Sequence, residues 1–160
     1  MTLATVGLVP GGGSSTVHGD AAREAATAGP APAVPHAASV FYAVDDHMRL
    51  VFLSKPESIH GLHIGAAAPV AVTITEQYAD WEDIQGVQIW GVAKRITGPA
   101  KALAMAAYLR RFPFLEDLLE QPRLAAAMRK VAVYRVQPGR MAFTDNTTGV
   151  FGREILDLKG

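Results

Sequence analysis

Short runs rich in β-branched and aromatic residues, each broken by Gly, Pro or Asp, fill most of this chain, and a helical period replaces them in only two places. Thr2 to Val9 reads as a strand that stops at Pro10 and three glycines. Ala38 to Val44 is a second strand; Asp45-Asp46-His47 supplies turn chemistry, and Arg49 to Ser54 returns as the other arm of a hairpin. From Ser58 to Ala67 the apolar positions Ile59, Leu62 and either Ile64 or Ala66 suit one short amphipathic helix, after which Ala68 to Thr75 alternates as a strand. Glu76 to Asp83, polar apart from Tyr78 and Trp81, is a connection. Ile84 to Thr97 is the longest strand expected, with Val87, Ile89, Gly91 and Ala93 on one face and Gln88, Trp90, Val92 and Lys94 on the other.

Gly98-Pro99 ends that strand and opens a helical block. Pro99 suits a first-turn position, Leu103, Ala106, Ala107, Tyr108 and Leu109 follow, and Arg110-Arg111 place cations near the C-terminal end. Pro113 to Glu120 and Pro122 to Lys130 read as two shorter helices. Val131 to Val136 then resembles a strand, Pro138-Gly139 a turn, Arg140 to Thr144 the returning arm of a hairpin, and Phe151 to Leu158 a last edge strand. Strands joined mainly by hairpins, with the helices grouped together, predict a six-stranded antiparallel β-barrel with inserted helices, not a doubly wound parallel sheet. One domain over residues 1–160 is expected, carrying a loop insertion at 10–35 and a helical insertion at 99–130. The Gly/Ala/Pro-rich 10–35 stretch has few large apolar side chains to offset the entropy of ordering it; only Gly19 to Ala26, with Asp20 as a cap, offers a helical turn or two.

Composition narrows the function. Fifteen Lys+Arg balance fifteen Asp+Glu, which removes the electrostatic footprint expected of a nucleic-acid or anionic-membrane binder. No cysteine is present, so disulfides, thiol catalysis and thiolate metal sites are excluded. The apolar opening Met1 to Val9 is too short to span a bilayer, and a soluble, cytoplasmic protein is expected. His18, His36 and His47 are widely spaced and loop-like, His63 reads as a surface residue, and no metal site is expected.

The segments Ala38-Ser39-Val40-Phe41-Tyr42-Ala43-Val44-Asp45-Asp46, Leu50-Val51-Phe52-Leu53-Ser54, Ser58-x-His60-Gly61, Val70-Ala71-Val72-Thr73-Ile74 and Gly86-Val87-Gln88-Ile89-x-Gly91 together resemble the pyridoxamine 5′-phosphate oxidase-like FMN-binding split-barrel family. The resemblance covers residues 36 to 97 and is weaker from Pro99 onward. It implies a six-stranded barrel that forms a homodimer, with FMN in a groove at the subunit interface. It places Ser39, Val40 and Phe41 against the isoalloxazine ring, Leu53 and Ser54 beside the ribityl chain, Ser58 and His60 on the phosphate, and Gln88 near the ring or ribityl. Family members often carry Arg or Lys after the phosphate serine; this chain has Ile59 and Leu62. The substrate-phosphate arginines and histidine of true pyridoxamine-phosphate oxidases are absent, so that activity is not expected.

Elementary chemistry is compatible with the layout, because Ser58 opens the expected short helix where the dipole is positive, with Ser54 and His60 nearby. The bland alternative for Ser54 and Ser58 is a strand end and a helix N-cap. No nucleophile elbow, phosphate-cradling glycine loop or paired carboxylates on one helix face occur, so catalytic side chains remain unassigned and any redox chemistry would belong to a bound flavin. Two readings follow: an FMN-dependent oxidoreductase acting on an unidentified small substrate, with a deazaflavin coenzyme as alternative cofactor, or a non-catalytic relative whose groove has lost tight flavin binding. A haem-utilising barrel would require an exposed histidine ligand, which no position singles out.

Overall fold

The computed structural model describes residues 1–7, 33–149 and 152–158. Eight strands, β1 (Thr2–Gly7), β2 (Val34–Ser39), β3 (Tyr42–Val44), β4 (Leu50–Ser54), β5 (Ala67–Thr75), β6 (Gln85–Ile96), β7 (Ala132–Asp145) and β8 (Arg153–Asp157), form one antiparallel sheet with the order β2-β1-β5-β6-β7-β4-β3 and β8 on β7. The two ends of that order, β2 and β3, are separated in the chain only by Val40 and Phe41. One bent strand therefore belongs to both edges and closes the sheet covalently. Counted as one member with β1, β4, β5, β6 and β7, it completes the expected six-stranded barrel.

Along β7 one edge pairs with β6 throughout, while the other is divided: Ala132–Val136 pair with β4 and Arg140–Thr144 with β8. The barrel splits at that division. Pro138 and Gly139 mark it, and here the structure corrects the expected hairpin: Val131–Val136 and Arg140–Thr144 are two halves of one strand, both facing β6. Proline lacks the N–H that a continuous ladder needs, so it falls at a bulge, where Trp90 pairs with Arg140 and Gly91 with Pro138 while Gly139 is skipped. The single strand expected over Ala38–Val44 is divided at the bend, and Val34 and Pro35, expected in the loop, pair with Gly7 and Val6. The helical turns expected within Gly19–Ala26 lie outside the described residues.

Alternation along the strands builds the interior. Leu3, Leu50, Phe52, Val70, Val72, Ile89, Ala93, Tyr134 and Val136 point inward and pack with Ile64 of α1 (Ile59–Ile64), which stoppers one end. Val51 and Val133 point outward from the same strands, beneath Ala104 and Tyr108 of α2 (Pro99–Arg111). Two shorter helices, α3 (Phe114–Leu119) and α4 (Pro122–Met128), complete the helical block and return the chain to β7.

Candidate functional site

Ser58 caps α1: its extended backbone turns the hydroxyl back so that the Gly61 N–H donates to Ser58 Oγ at 3.2 Å. The Ser58 hydroxyl proton is itself spent, donated to the Lys55 carbonyl at 2.7 Å. Ser54 Oγ lies 3.2 Å from Ser58 Oγ and 2.6 Å from His60 Nε2. One arrangement of protons satisfies every contact: His60 Nε2–H donates to Ser54, Ser54 to Ser58, and Ser58 to the Lys55 carbonyl. The bonds therefore assign His60 the Nε2–H tautomer.

His60 is only 8% exposed, and its ring packs against Phe52 and stacks on His36 at a 5.9 Å centroid distance. Burial, reinforced by the neighbouring His36 and His63, holds its pKa below the ordinary imidazole value and keeps it neutral. His36 reaches this place because it pairs with Thr5 on the inner face of the β1–β2 ladder. His63, expected at the surface, is half-buried instead: its Nδ1 is 3.0 Å from Thr5 Oγ1, its ring stands edge-on to His36, and its Nε2 is buried without a partner among the described residues. Sequence spacing concealed this grouping, since only the strand register brings residue 36 over residues 60 and 63. The three rings are not placed to hold a metal ion, and no group of three His, Asp or Glu side chains so placed occurs among the described residues.

Because the neutral form of His60 is favoured in the fold, the unfolded chain binds more protons between the folded pKa and about 6.5. Stability from this site is full above that pH and declines as pH falls through the window. Thermal melts from pH 7.5 to 5 are expected to show the decline, and His60→Gln to flatten it; identical profiles would refute the assignment.

Of the remaining singled-out residues, all but Val40 occupy the other side of the sheet. Ser39 pairs with Thr2, Thr2 with Thr73 and Thr73 with Gln88, so Ser39 and Gln88 lie in one cross-strand row, three strand spacings or about 14 Å apart. Gln88 Oε1 accepts from Arg153 Nη2 at 2.9 Å. Leu53 faces outward and, like Met105, Phe112 and Leu115, packs against the cluster of Ala43, Val51, Ala104, Tyr108 and Val133 beneath α2. Val40 turns inward against the barrel core. Ser54, Ser58 and His60 thus form a polar plug at the inner mouth, whereas Ser39, Phe41, Leu53 and Gln88 belong to the outer surface.

A groove of about 380 Å³ opens on that surface where the strand bends, lined by Met1, Ser39, Val40, Phe41, Tyr42, Arg111 and Phe112. Phe41 is 72% exposed, with its ring edge-on to Phe112 at 5.6 Å between centroids. The Met1 ammonium donates to the Val40 carbonyl at 3.2 Å, and the Arg111 guanidinium lies 6.0 Å from the Phe112 ring centre. An apolar aromatic wall flanked by the Arg111 cation suits a flat, electron-poor ring with carbonyl acceptors at its edge. Arg111 stands in the last turn of α2, and packing of that helix on β3 delivers it to the groove.

This closed six-membered barrel, with one edge of β7 divided between β4 and β8, defines a split-barrel fold. Solved structures of the same fold include the conserved hypothetical protein Rv2991 of Mycobacterium tuberculosis (TM-score 0.62, 20% identity, 99% of this chain and 83% of that one) and a heme-binding protein from Mycobacterium smegmatis (TM-score 0.57, 16% identity, 98% and 52%). HutZ, the heme storage protein from Vibrio cholerae, also shares it (TM-score 0.53, 13% identity, 86% and 80%). The chain belongs to the UPF0306 family: it is 34% identical to the UPF0306 protein YhbP of Salmonella schwarzengrund over 119 residues, 74% of this chain and 73% of that protein. YhbP of Escherichia coli O157:H7 is 33% identical over 124 residues, 77% and 76% of the two chains. No family model matches the sequence.

Proposed function

We propose that this protein binds FMN in the outer groove at Ser39, Val40 and Phe41, at a homodimer interface, and acts as a flavin-dependent oxidoreductase on a small substrate. The exposed Phe41, set against Phe112 and flanked by Arg111, carries the reading. In an isolated chain that aromatic surface faces water; a second copy covering it would exclude solvent from the ring. A bound flavin would supply hydride or electron transfer. The chain's part is to hold the ring against Phe41, place positive charge at its carbonyl edge and keep Gln88 and Leu53 along the outer face.

The ring end of the cofactor fits these residues better than the phosphate end does. The side-chain donor protons of Ser54, Ser58 and His60 are committed to one another and to Lys55, and His60 is neutral. Phosphate capture there requires the chain of bonds to be exchanged for ligand bonds. That commitment favours, as the second reading, a split-barrel relative that no longer holds flavin tightly and serves as a binding module.

FMN titration followed by flavin fluorescence separates the two. Saturable quenching in the native chain, weakened about tenfold by Phe41→Ala, is expected. Unchanged FMN fluorescence would discard the flavoprotein reading in favour of the module.

A further inference from the structure

The β6–α2 and α4–β7 junctions lie side by side because Ile96 pairs with Val133 and Arg95 with Tyr134. Between them and Pro56 is a pocket of about 340 Å³ whose lining includes Arg95, Lys101, Arg129 and Lys130 and no carboxylate. None of the four cations forms an ion pair among the described residues, whereas Arg49, Arg110 and Arg140 are each paired with an aspartate. In a chain of zero formal net charge, this is a local and uncompensated concentration of positive charge.

We propose that this pocket is a binding site for a compact polyanion, a ligand carrying a diphosphate or an equivalent cluster of anionic groups. Four like charges brought to one concavity repel each other, and a multivalent anion converts that repulsion into attraction. Ile96, Val131 and Val133 wall the pocket with apolar surface, which concentrates the field toward its opening. Gly98, also on the lining, is the N-cap of the thirteen-residue α2 and makes no side-chain capping bond, so the positive end of that helix adds to the same field. The volume is at the lower end for small-ligand sites and suits a diphosphate-sized group. A nucleic-acid backbone would call for an extended basic stripe, and here the cations converge on one cavity. No residue is shared with the groove at Phe41, so the site stands whether or not that groove holds a flavin.

Calorimetric titration of the full chain with inorganic pyrophosphate at low salt tests the proposal, with orthophosphate and a short single-stranded oligonucleotide as comparisons. Pyrophosphate is expected to bind about tenfold more tightly than orthophosphate and to weaken as salt rises. Arg95→Gln with Arg129→Gln is expected to lower pyrophosphate affinity by about tenfold or more while leaving the ligand-free melting temperature unchanged, since both side chains are exposed. Lys130→Glu provides a separate variant with the same expected direction, and Phe41→Ala leaves the titration unaltered. Absence of binding, or equal affinity in the Arg95 and Arg129 double variant, overturns the site; tighter binding of the oligonucleotide than of pyrophosphate overturns the ligand class.

Discussion

Replacing Phe52 by alanine is expected to lower the unfolding free energy by about 4 kcal/mol. The ring is fully buried on β4, stacked on Tyr134 at 5.1 Å and 13° between planes, and it lies tilted against the His60 ring at 6.4 Å between centroids. Its removal empties the middle of a barrel whose walls are hydrogen-bonded on all sides and cannot collapse inward as a loose helix pair would. It also removes apolar shielding from His60, so the imidazole titration should move back toward its ordinary value. Urea unfolding of Phe52→Ala beside Phe143→Ala, a change at a partly exposed ring, measures the first effect; NMR titration of His60 measures the second. Equal midpoints in the two variants would show that Phe52 is not the centre of the core.

Gly91→Ala is expected to cost about 3 kcal/mol although it adds a single methyl group. At the bulge the β7 backbone is drawn so close to β6 that a Cβ on Gly91 would run into the carbonyl oxygen of Gln137, with the Gln137 carbonyl carbon and Pro138 Cα close behind. Those are backbone atoms, which cannot swing aside. Relief requires the strands to part where Pro138 and Gly139 re-aim β7 from β4 toward β8, and the outer face carrying Gln88 shifts with them. Gly139→Ala provides the contrast, because its added Cβ would make only ordinary contact with the Trp90 carbonyl. A thermal melt of Gly91→Ala as high as that of Gly139→Ala would contradict the close approach.

The same bulge shows how a local signal can be correct in kind and wrong in consequence. Pro138-Gly139 interrupts a strand by its own chemistry, and interruption is legible in sequence. Whether the chain turns back or continues depends on the partner, and both flanking halves meet the same long strand, β6. The bend at Val40–Phe41 is of the same nature: Ala38 to Val44 reads as one strand, yet its halves pair with β1 and β4 on opposite edges of the sheet. Among the candidate residues, Ser58 is legible because capping is a local event. Ser39 and Gln88 share a row that only the β1, β5 and β6 registers create.

By itself the sequence determined the alternating faces of β6, the Asp45–His47 turn, the Ser58 cap, the Pro99 helix start, and a chain of balanced charge without cysteine. These are properties of neighbouring residues, set by backbone sterics, side-chain period and composition. Tertiary structure alone decided the closure of the sheet through the β2–β3 strand, the gathering of His36, His60 and His63, and the meeting of Arg95 and Lys101 with Arg129 and Lys130. Each joins residues far apart in the chain, and their proximity depends on strand register and helix docking, which are fixed by burial of the shared core and not by any local preference.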